Sequence, residues 1–231
     1  MESESDLFDW NLAAIESVLF TCPQIPPRAV DQLHRYAQLL FRWSSKMSLI
    51  SSGDRSILVA KHLIPCLAMV PSAVSGSHRT IVDFGSGAGL PGVPLKIMLP
   101  DSIVILVDSR RKRASFLREV IRKLELKNVE VFNGRLAEWC GLNQALIGSR
   151  GGTDGVDLVV ARAVDDPAGV FAEVQPLMAV HGRLLMSSKP GQERANSALG
   201  FQSQKITWAG GEQWVSSKPR EGTVTSLSTG I

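Results

Sequence analysis

The sequence lacks the features that would assign it to several specialised classes of protein. Its three cysteines, Cys22, Cys66 and Cys140, are odd in number, widely spaced and never in a Cys-x-x-Cys pair. We therefore expect reduced packing residues, with neither a disulfide framework nor a metal site. No apolar run reaches the roughly 18 residues of a membrane span, and residues 1–6 carry no basic side chain. These absences predict a cytoplasmic protein that does not associate with a membrane. We also expect a monomer.

Composition and length are compatible with a soluble α/β enzyme. The chain has 231 residues, of which 44% are hydrophobic, and this excludes a largely disordered protein. The net charge of +3 is too small to indicate a nucleic-acid partner by itself. One main domain with an accessory segment suits this length. We place the boundary near residue 75, with an N-terminal helical segment (1–75) packed on a core domain (76–231).

A glycine-rich segment, residues 81–92, is the most informative part of the chain. It reads Ile-Val-Asp-Phe-Gly-Ser-Gly-Ala-Gly-Leu-Pro-Gly, which is an apolar strand with an acid, Asp83, followed by closely spaced glycines. Glycine lets the backbone turn sharply and approach a nucleoside-sized ligand. A second acid, Asp108, ends the next apolar run (103–107). An acid at that position accepts hydrogen bonds from the ribose hydroxyls of a nucleoside cofactor.

Two classes of cofactor compete for such a segment. The spacing Gly87-x-Gly89-x-x-Gly92 formally matches the dinucleotide pattern, which is weak evidence alone. However, the glycines that directly follow the strand are Gly85 and Gly87, and in that register the third glycine would fall at Leu90. S-adenosylmethionine has no phosphate to hold and suits this pattern better. The residues therefore favour a methyltransferase over a dehydrogenase.

Alternating strands and helices after residue 80 predict a doubly wound, mostly parallel sheet. Before residue 80 the periodicity predicts helices over 5–20, 27–46 and 54–70, the last bent or broken by Pro65. The predicted strands are 80–84, 103–108, 129–133, 156–161 and 182–187, and the predicted helices between them are 91–99, 109–125 and 167–179. A final hairpin through 206–208 and 223–225 is a weaker prediction.

Positive charge is concentrated on the predicted helix 109–125. Four consecutive cations, residues 110–113, open this helix beside the expected cofactor site. Its apolar residues keep an i, i+3, i+4 spacing, so one face packs on the sheet while the cations lie on the rest. A solvated helix face is the ordinary explanation for any single lysine. Four consecutive cations at this place favour a phosphate-rich substrate.

Several separate motifs in this order resemble one known family. They are Trp43-Ser-Ser-Lys-Met-Ser-Leu49, His62, Asp83 to Gly92, Val107-Asp-Ser109, Lys112-Arg113, Phe116-Leu117, Asn128-Val129, Gly134-Arg135, Glu138, Ala161-Arg-Ala163, and Gly182-Arg183 leading to Lys189. Over roughly residues 30–195 the chain resembles the bacterial glucose-inhibited division protein B family. The resemblance implies a class I, Rossmann-like methyltransferase that uses S-adenosylmethionine to make 7-methylguanosine in small-subunit (16S) ribosomal RNA.

The residues and the resemblance together define a candidate site. The resemblance implies that Leu136 and Ala137 flank the adenine and that Arg162 lies between cofactor and substrate. The predicted cofactor contacts are Asp83, Gly85, Gly87, Gly89, Leu90, Asp108, Ser109, Leu136, Ala137 and Arg162. The predicted RNA-binding rim consists of Arg110, Arg111, Arg113, Arg135 and Lys189.

The chemistry of this reaction needs positioning rather than a catalytic base. Guanine N7 loses no proton when it is methylated, so alignment suffices and Arg162 is a positioning candidate. Asp165 and Asp166 are better explained by an N-cap before Pro167 than by a role in the reaction.

One segment departs from the family pattern. The family usually shows His-x-x-Asp-Ser, whereas Pro65-Cys66 stands in place of the acid and serine here. This leaves two alternatives open. The alternatives to an rRNA methyltransferase are a ribosome-assembly factor that binds S-adenosylmethionine without turnover and a methyltransferase of a small molecule or protein.

Overall fold

Seven strands form one mixed sheet in the computed structural model, which describes residues 8–74, 80–136, 138–139, 155–188, 190–208 and 211–221. The strands are β1 Thr80–Phe84, β2 Ile103–Val107, β3 Val129–Phe132, β4 Val156–Ala161, β5 Met178–Ser188, β6 Gln202–Trp208 and β7 Gly211–Pro219. Their order is β3-β2-β1-β4-β5-β7-β6. The first five strands pair in parallel, and β7 pairs antiparallel with both β5 and β6. The predicted doubly wound, mostly parallel sheet is confirmed.

The strand order reverses at β1, which positions a ligand site. From β1 the chain adds β2 and β3 on one side, then crosses to add β4 and β5 on the other. Open α/β sheets bind ligands outside the carboxyl ends of the strands at such a switch point. In the register of the sheet, Phe84 at the end of β1 pairs with Val107 of β2 and Ala161 of β4. The residues that follow Phe84, Val107 and Ala161 therefore lie together at the carboxyl-terminal edge of the sheet.

Successive side chains of β1 pack on opposite faces of the sheet. Ile81 belongs to a core shared with the N-terminal helices, whereas Val82 belongs to a second core that includes Phe171. Because both faces are covered, the central strands read as continuous apolar runs rather than as alternating ones.

The α-helices whose bounds the structure describes flank the sheet. They are α1 Leu12–Leu19, α2 Ala29–Ser44, α3 Ile64–Leu67, α4 Val70–Val74, α5 Gly92–Met98, α6 Arg111–Leu124, α7 Pro167–Val174 and α8 Glu193–Ala198. In α6, Ala114, Leu117, Val120 and Leu124 are buried, as the i, i+3, i+4 spacing of its apolar residues predicts. The predicted N-cap of α7 is confirmed, since the Asp166 carboxylate accepts from the backbone N–H of Gly169 at 2.9 Å. No helix of the described residues is long and apolar enough to cross a membrane.

Three sequence predictions need correction. The third helix is a succession of helical types: a 3₁₀ segment Ser52–Ile57, a π segment Val59–Leu63, then α3 and α4. Pro65 lies in the first turn of α3, just after the π segment, and does not end α3.

The other two corrections concern the C-terminal third. Helix 167–179 was predicted too long: α7 ends at Val174, a 3₁₀ turn spans Gln175–Leu177, and β5 begins at Met178. Pro176 lacks the N–H that would extend the helix. In the hairpin, the partner of β6 is β7 and not 223–225, a segment that lies outside the described residues.

Candidate cofactor and substrate cleft

A cleft of about 300 Å³ opens at the carboxyl ends of β1 and β2. Its walls come from the loops that follow these strands, from the first turn of α6, from the segment after β3 and from α7. The lining residues are Phe84, Gly85, Val107, Asp108, Ser109, Arg110, Arg113, Gly134, Arg135, Leu136 and Glu173. The structure thus brings together six side chains that the sequence predicted for the cofactor or for the RNA rim, in addition to Gly85.

The glycine loop after β1 has a backbone that only glycine adopts without strain. Gly85, Gly87 and Gly89 all have φ in the left-handed region, at 69°, 55° and 86°. A Cβ on Gly85 would meet nothing within 4 Å, so this backbone faces open space in the cleft. The loop is held from below, because the hydroxyl of Tyr36 on α2 donates to the carbonyl of Ala88 at 2.7 Å.

Asp108 connects the glycine loop to α6. Its carboxylate accepts from the backbone N–H of Gly87 at 2.8 Å and from that of Arg110 at 2.7 Å. The side chain is 5% exposed, and it lines the cleft. A carboxylate oxygen has room for about two hydrogen bonds, so Asp108 can still accept from a diol in the cleft.

Asp83, by contrast, is fully buried and supports the glycine loop through a hydrogen bond at its end. Its Oδ2 accepts from the backbone N–H of Gly92 at 3.0 Å, at the start of α5. Its Oδ1 has no hydrogen-bond partner among the described residues. Burial raises the pKa of Asp83 to about 7, against the lowering effect of the Gly92 N–H. A Cβ at position 92 would come within 2.5 Å of Asp83 Oδ2, and so glycine there permits the contact.

The predicted RNA rim divides into two groups. Arg113 lies inside the cleft, with its guanidinium 3.6 Å from Asp108 Oδ2. Arg110 and Arg135 are exposed at the cleft edge, and Arg111 is exposed on α6 without lining the cleft. Arg113 is therefore the member of the predicted rim whose guanidinium faces Asp108, while Arg110 and Arg135 line the same cleft.

Arg162, at the end of β4, holds the helical segment around Pro65. Its guanidinium donates to the carbonyl of Lys61 at 2.9 Å and to that of His62 at 3.2 Å, and it lies 3.7 Å from Cys66 Sγ. Proline has no N–H, so Pro65 cannot bond to the carbonyl four residues earlier, which is that of Lys61. Arg162 supplies the missing donor.

The charge of Arg162 also affects the surrounding titratable groups. Burial, with a smaller contribution from Arg162, lowers the pKa of His62. Burial raises the pKa of the Cys66 thiol to about 11, so it is protonated at neutral pH.

A second cavity of about 580 Å³ continues the cleft toward β4. It shares Phe84, Gly85 and Glu173 with the first and adds Arg162 with the segment Ala163–Asp166. The combined space is an elongated groove across the switch point, large enough for a nucleoside and a second group beside it.

The remaining predicted residues have different positions. Gly89 and Leu90 are buried under the loop and do not line the cleft. Ala137 and Lys189 lie outside the residues that the structure describes. Sequence reasoning missed Phe84, Val107, Gly134 and Glu173. The first two end strands β1 and β2 and could have been found from that position, whereas nothing in the sequence marks Glu173.

Comparisons with known proteins agree with this architecture. The family model GidB, described as rRNA small subunit methyltransferase G, matches residues 29–207. A protein of Roseiflexus sp. named ribosomal RNA small subunit methyltransferase G is 36% identical over 70% of this chain and 66% of its own length. One of the same name from Lachnoclostridium phytofermentans is 41% identical over 47% of this chain and 45% of its own length. The matched region thus spans less than two thirds of either relative.

Among solved structures, the O-methyltransferase TomG from Streptomyces achromogenes, in complex with SAM, has a similar fold. It covers 94% of this chain and 98% of its own, with a TM-score of 0.50 and 16% identity. The likeness agrees with the Rossmann-like, class I methyltransferase architecture expected from the sequence.

Proposed function

Because the chain belongs to the rRNA small subunit methyltransferase G family, we propose that it transfers a methyl group from S-adenosylmethionine to N7 of a guanosine in small-subunit (16S) ribosomal RNA. The observation that carries this proposal is the cleft in which Asp108 joins the glycine loop at the switch point of the sheet. We place the protein in the cytoplasm, where it meets ribosomal RNA or the assembled small subunit.

The residues in the cleft fit S-adenosylmethionine. Asp108 offers carboxylate lone pairs to a ribose diol, and the buried side chain of Leu136 offers an apolar wall to an adenine. The open space at the Cβ position of Gly85 lets a ligand approach the backbone directly. We assign Ser109 to the same nucleoside and Gly85 and Gly87 to the remainder of the cofactor. Asp83, Gly89 and Leu90 support the loop from beneath.

The cofactor would supply an electrophilic methyl group, and the chain would supply alignment. Guanine N7 has a free lone pair in the base plane, so no side chain has to remove a proton. We propose that the cavity beside Arg162 receives the guanine and that Arg162 fixes the position of this wall through the carbonyls of Lys61 and His62. Holding the two reactants in line accounts for the catalysis.

We propose that the N-terminal helices (1–75) form a segment that packs on a methyltransferase domain (76–231). The common core of Ile15 on α1, Leu33 on α2 and Ile81 on β1 supports this division. The segment would contribute to substrate recognition through its contacts with the glycine loop and Arg162.

The test is transfer of labelled methyl from S-adenosylmethionine to unmodified small ribosomal subunits and to the RNA extracted from them. Nucleoside digestion should place the label in 7-methylguanosine. The ratio between the two substrates measures how much assembled structure the enzyme requires. Large-subunit RNA is the matched control and should remain unlabelled.

Two other outcomes would point elsewhere. Tight binding of S-adenosylmethionine without label in RNA would replace the proposal with a non-catalytic assembly factor. Label in a protein or small molecule when RNA is omitted would assign a different substrate. Either result would direct attention to Pro65-Cys66, where the family pattern is broken.

A further inference from the structure

A polar cavity of about 540 Å³ shares Arg113 with the cofactor cleft and has no other lining residue in common with it. It is lined by the continuous loop Ser44–Ser52 and by Arg113, and we refer to it as the serine pocket. We propose that the serine pocket binds a backbone phosphate of the RNA substrate. This inference rests on the proposed function, and it assigns to the N-terminal segment a binding site next to the cofactor.

Core packing fixes the serine pocket beside the cleft. The Trp43 ring, on α2, packs on Phe116 of α6 with ring centroids 5.6 Å apart. Farther along the same two helices, the Gln32 side chain donates to the carbonyl of Leu124 at 3.1 Å. The loop after α2 is therefore held against the first turn of α6, where Arg113 lies.

Seven of the ten residues that line the pocket carry hydrogen-bond donors or positive charge, and the other three, Met47, Leu49 and Ile50, are apolar. Five of its residues are serines and two are cations, Lys46 and Arg113, and none is acidic. Lys46 is exposed and forms no ion pair with any acid of the described residues. The Ser44 hydroxyl oxygen is buried and has no hydrogen-bond partner there either. Phosphate oxygens accept from hydroxyls, ammonium and guanidinium groups, so a phosphate matches this lining.

Two acids that adjoin the pocket, one in sequence and one through Arg113, are already compensated. Asp54, just beyond the loop, pairs with Lys61 Nζ at 2.6 Å and with His62 Nε2 at 3.0 Å. Asp108 accepts two backbone N–H groups, and its distance of 3.6 Å from Arg113 is longer than a hydrogen bond. A guanidinium carries five N–H donors, so Arg113 can serve a phosphate in the pocket while it faces Asp108.

Lys46→Gln tests the serine pocket without touching the cofactor cleft. The probe is unmodified small-subunit ribosomal RNA, with S-adenosylhomocysteine at saturation, in filter binding over a range of KCl concentrations. Loss of one phosphate contact should reduce the slope of log affinity against log salt by about 0.7 to 0.9, which is about five- to eightfold in affinity at 0.1 M salt when the affinities at 1 M are equal. The affinity for S-adenosylhomocysteine without RNA should stay unchanged. Lys127→Gln, an equally exposed charge beyond the far end of α6, is the matched control and should keep the wild-type slope.

The outcomes separate this inference from the proposed function. If the wild type methylates RNA and Lys46→Gln has the same slope as Lys127→Gln, the serine pocket is not a phosphate site and the proposed function stands. If the wild type binds the RNA without methylating it and Lys46→Gln lowers the slope, the pocket assignment stands and methyl transfer does not. If the wild type neither binds nor methylates the RNA, both are overturned.

Discussion

At the scale of single residues, Asp108 carries the largest share of the expected cofactor affinity. Asparagine at this position can accept from Gly87 or from Arg110 but not from both, and it removes the charge that favours a ribose diol. Hydrogen bonds to a charged group contribute about 1.5–3 kcal/mol. We expect Asp108→Asn to weaken S-adenosylhomocysteine binding by roughly 10- to 100-fold in calorimetry. Glu130→Gln, an exposed acid on β3, is the control. An affinity within twofold of wild type would remove Asp108 from the site.

Asp83 gives a prediction for stability against pH. An unfolded aspartate has a pKa of about 3.9, whereas burial raises the pKa of Asp83 in the folded protein to about 7. Between these values the folded state binds a proton that the unfolded state does not. The contribution of Asp83 to the free energy of unfolding is therefore at its maximum below about pH 4. It decreases as the pH rises to about 7 and is constant above that. The total change is on the order of a few kcal/mol.

Asp83→Asn should remove this dependence, because the amide is neutral at every pH and its oxygen can still accept from Gly92. We expect the variant to gain stability relative to wild type between pH 5 and pH 8, measured by urea unfolding. Subtracting the free energy of unfolding of one protein from that of the other at each pH cancels the contributions of all other titrating groups. A difference that is constant over this range would show that Asp83 is ionised in the folded protein at pH 5.

At the scale of elements, Arg162 and Pro65 should be energetically coupled. Arg162→Met leaves the carbonyls of Lys61 and His62 without their donor, and this should cost roughly 1–3 kcal/mol in urea unfolding. With Pro65→Ala, residue 65 regains an N–H that can bond to the Lys61 carbonyl. The cost of Arg162→Met should then be smaller by about 1 kcal/mol. Additive effects in this double-mutant cycle would show that Arg162 does not substitute for the missing N–H.

Elements were predictable where local periodicity and tertiary packing agree. The central strands and α6 follow their apolar patterns, because each packs directly on the core that its pattern describes. The region 52–74 has an apolar helical pattern too, but no pattern reveals the π segment Val59–Leu63 or the hydrogen bonds that its carbonyls accept from the distant Arg162. Likewise, β5 begins inside the predicted helix because Met178 pairs with Val156 across the sheet.

At the scale of the whole molecule, the sequence predicted the edge of the sheet at which the cleft with Asp108 opens, but neither the serine pocket nor the contacts of Arg162. Asp108 and the glycine loop are recognisable because the fold requires them at strand ends. The serine pocket depends on how α2 packs on α6, and the role of Arg162 depends on a contact across 101 residues. Contacts between residues so far apart in the chain leave no local pattern in the sequence. They could therefore be found only in the structure.

Ligand-induced stabilisation of the whole chain discriminates the two cofactor classes that the glycine pattern allows. A ligand at 100 times its Kd stabilises the folded state by about 2.7 kcal/mol. For a chain of this size that corresponds to a rise in Tm of about 5–10 °C. We expect S-adenosylhomocysteine to give this rise and NAD to give none, because Pro91 and the short helix α5 offer no N-terminal row of donors for a pyrophosphate. Asp108→Asn should reduce the rise at the same ligand concentration. An equal rise with NAD would assign the cleft to a dinucleotide, and the methyl-transfer proposal would then fail with its cofactor.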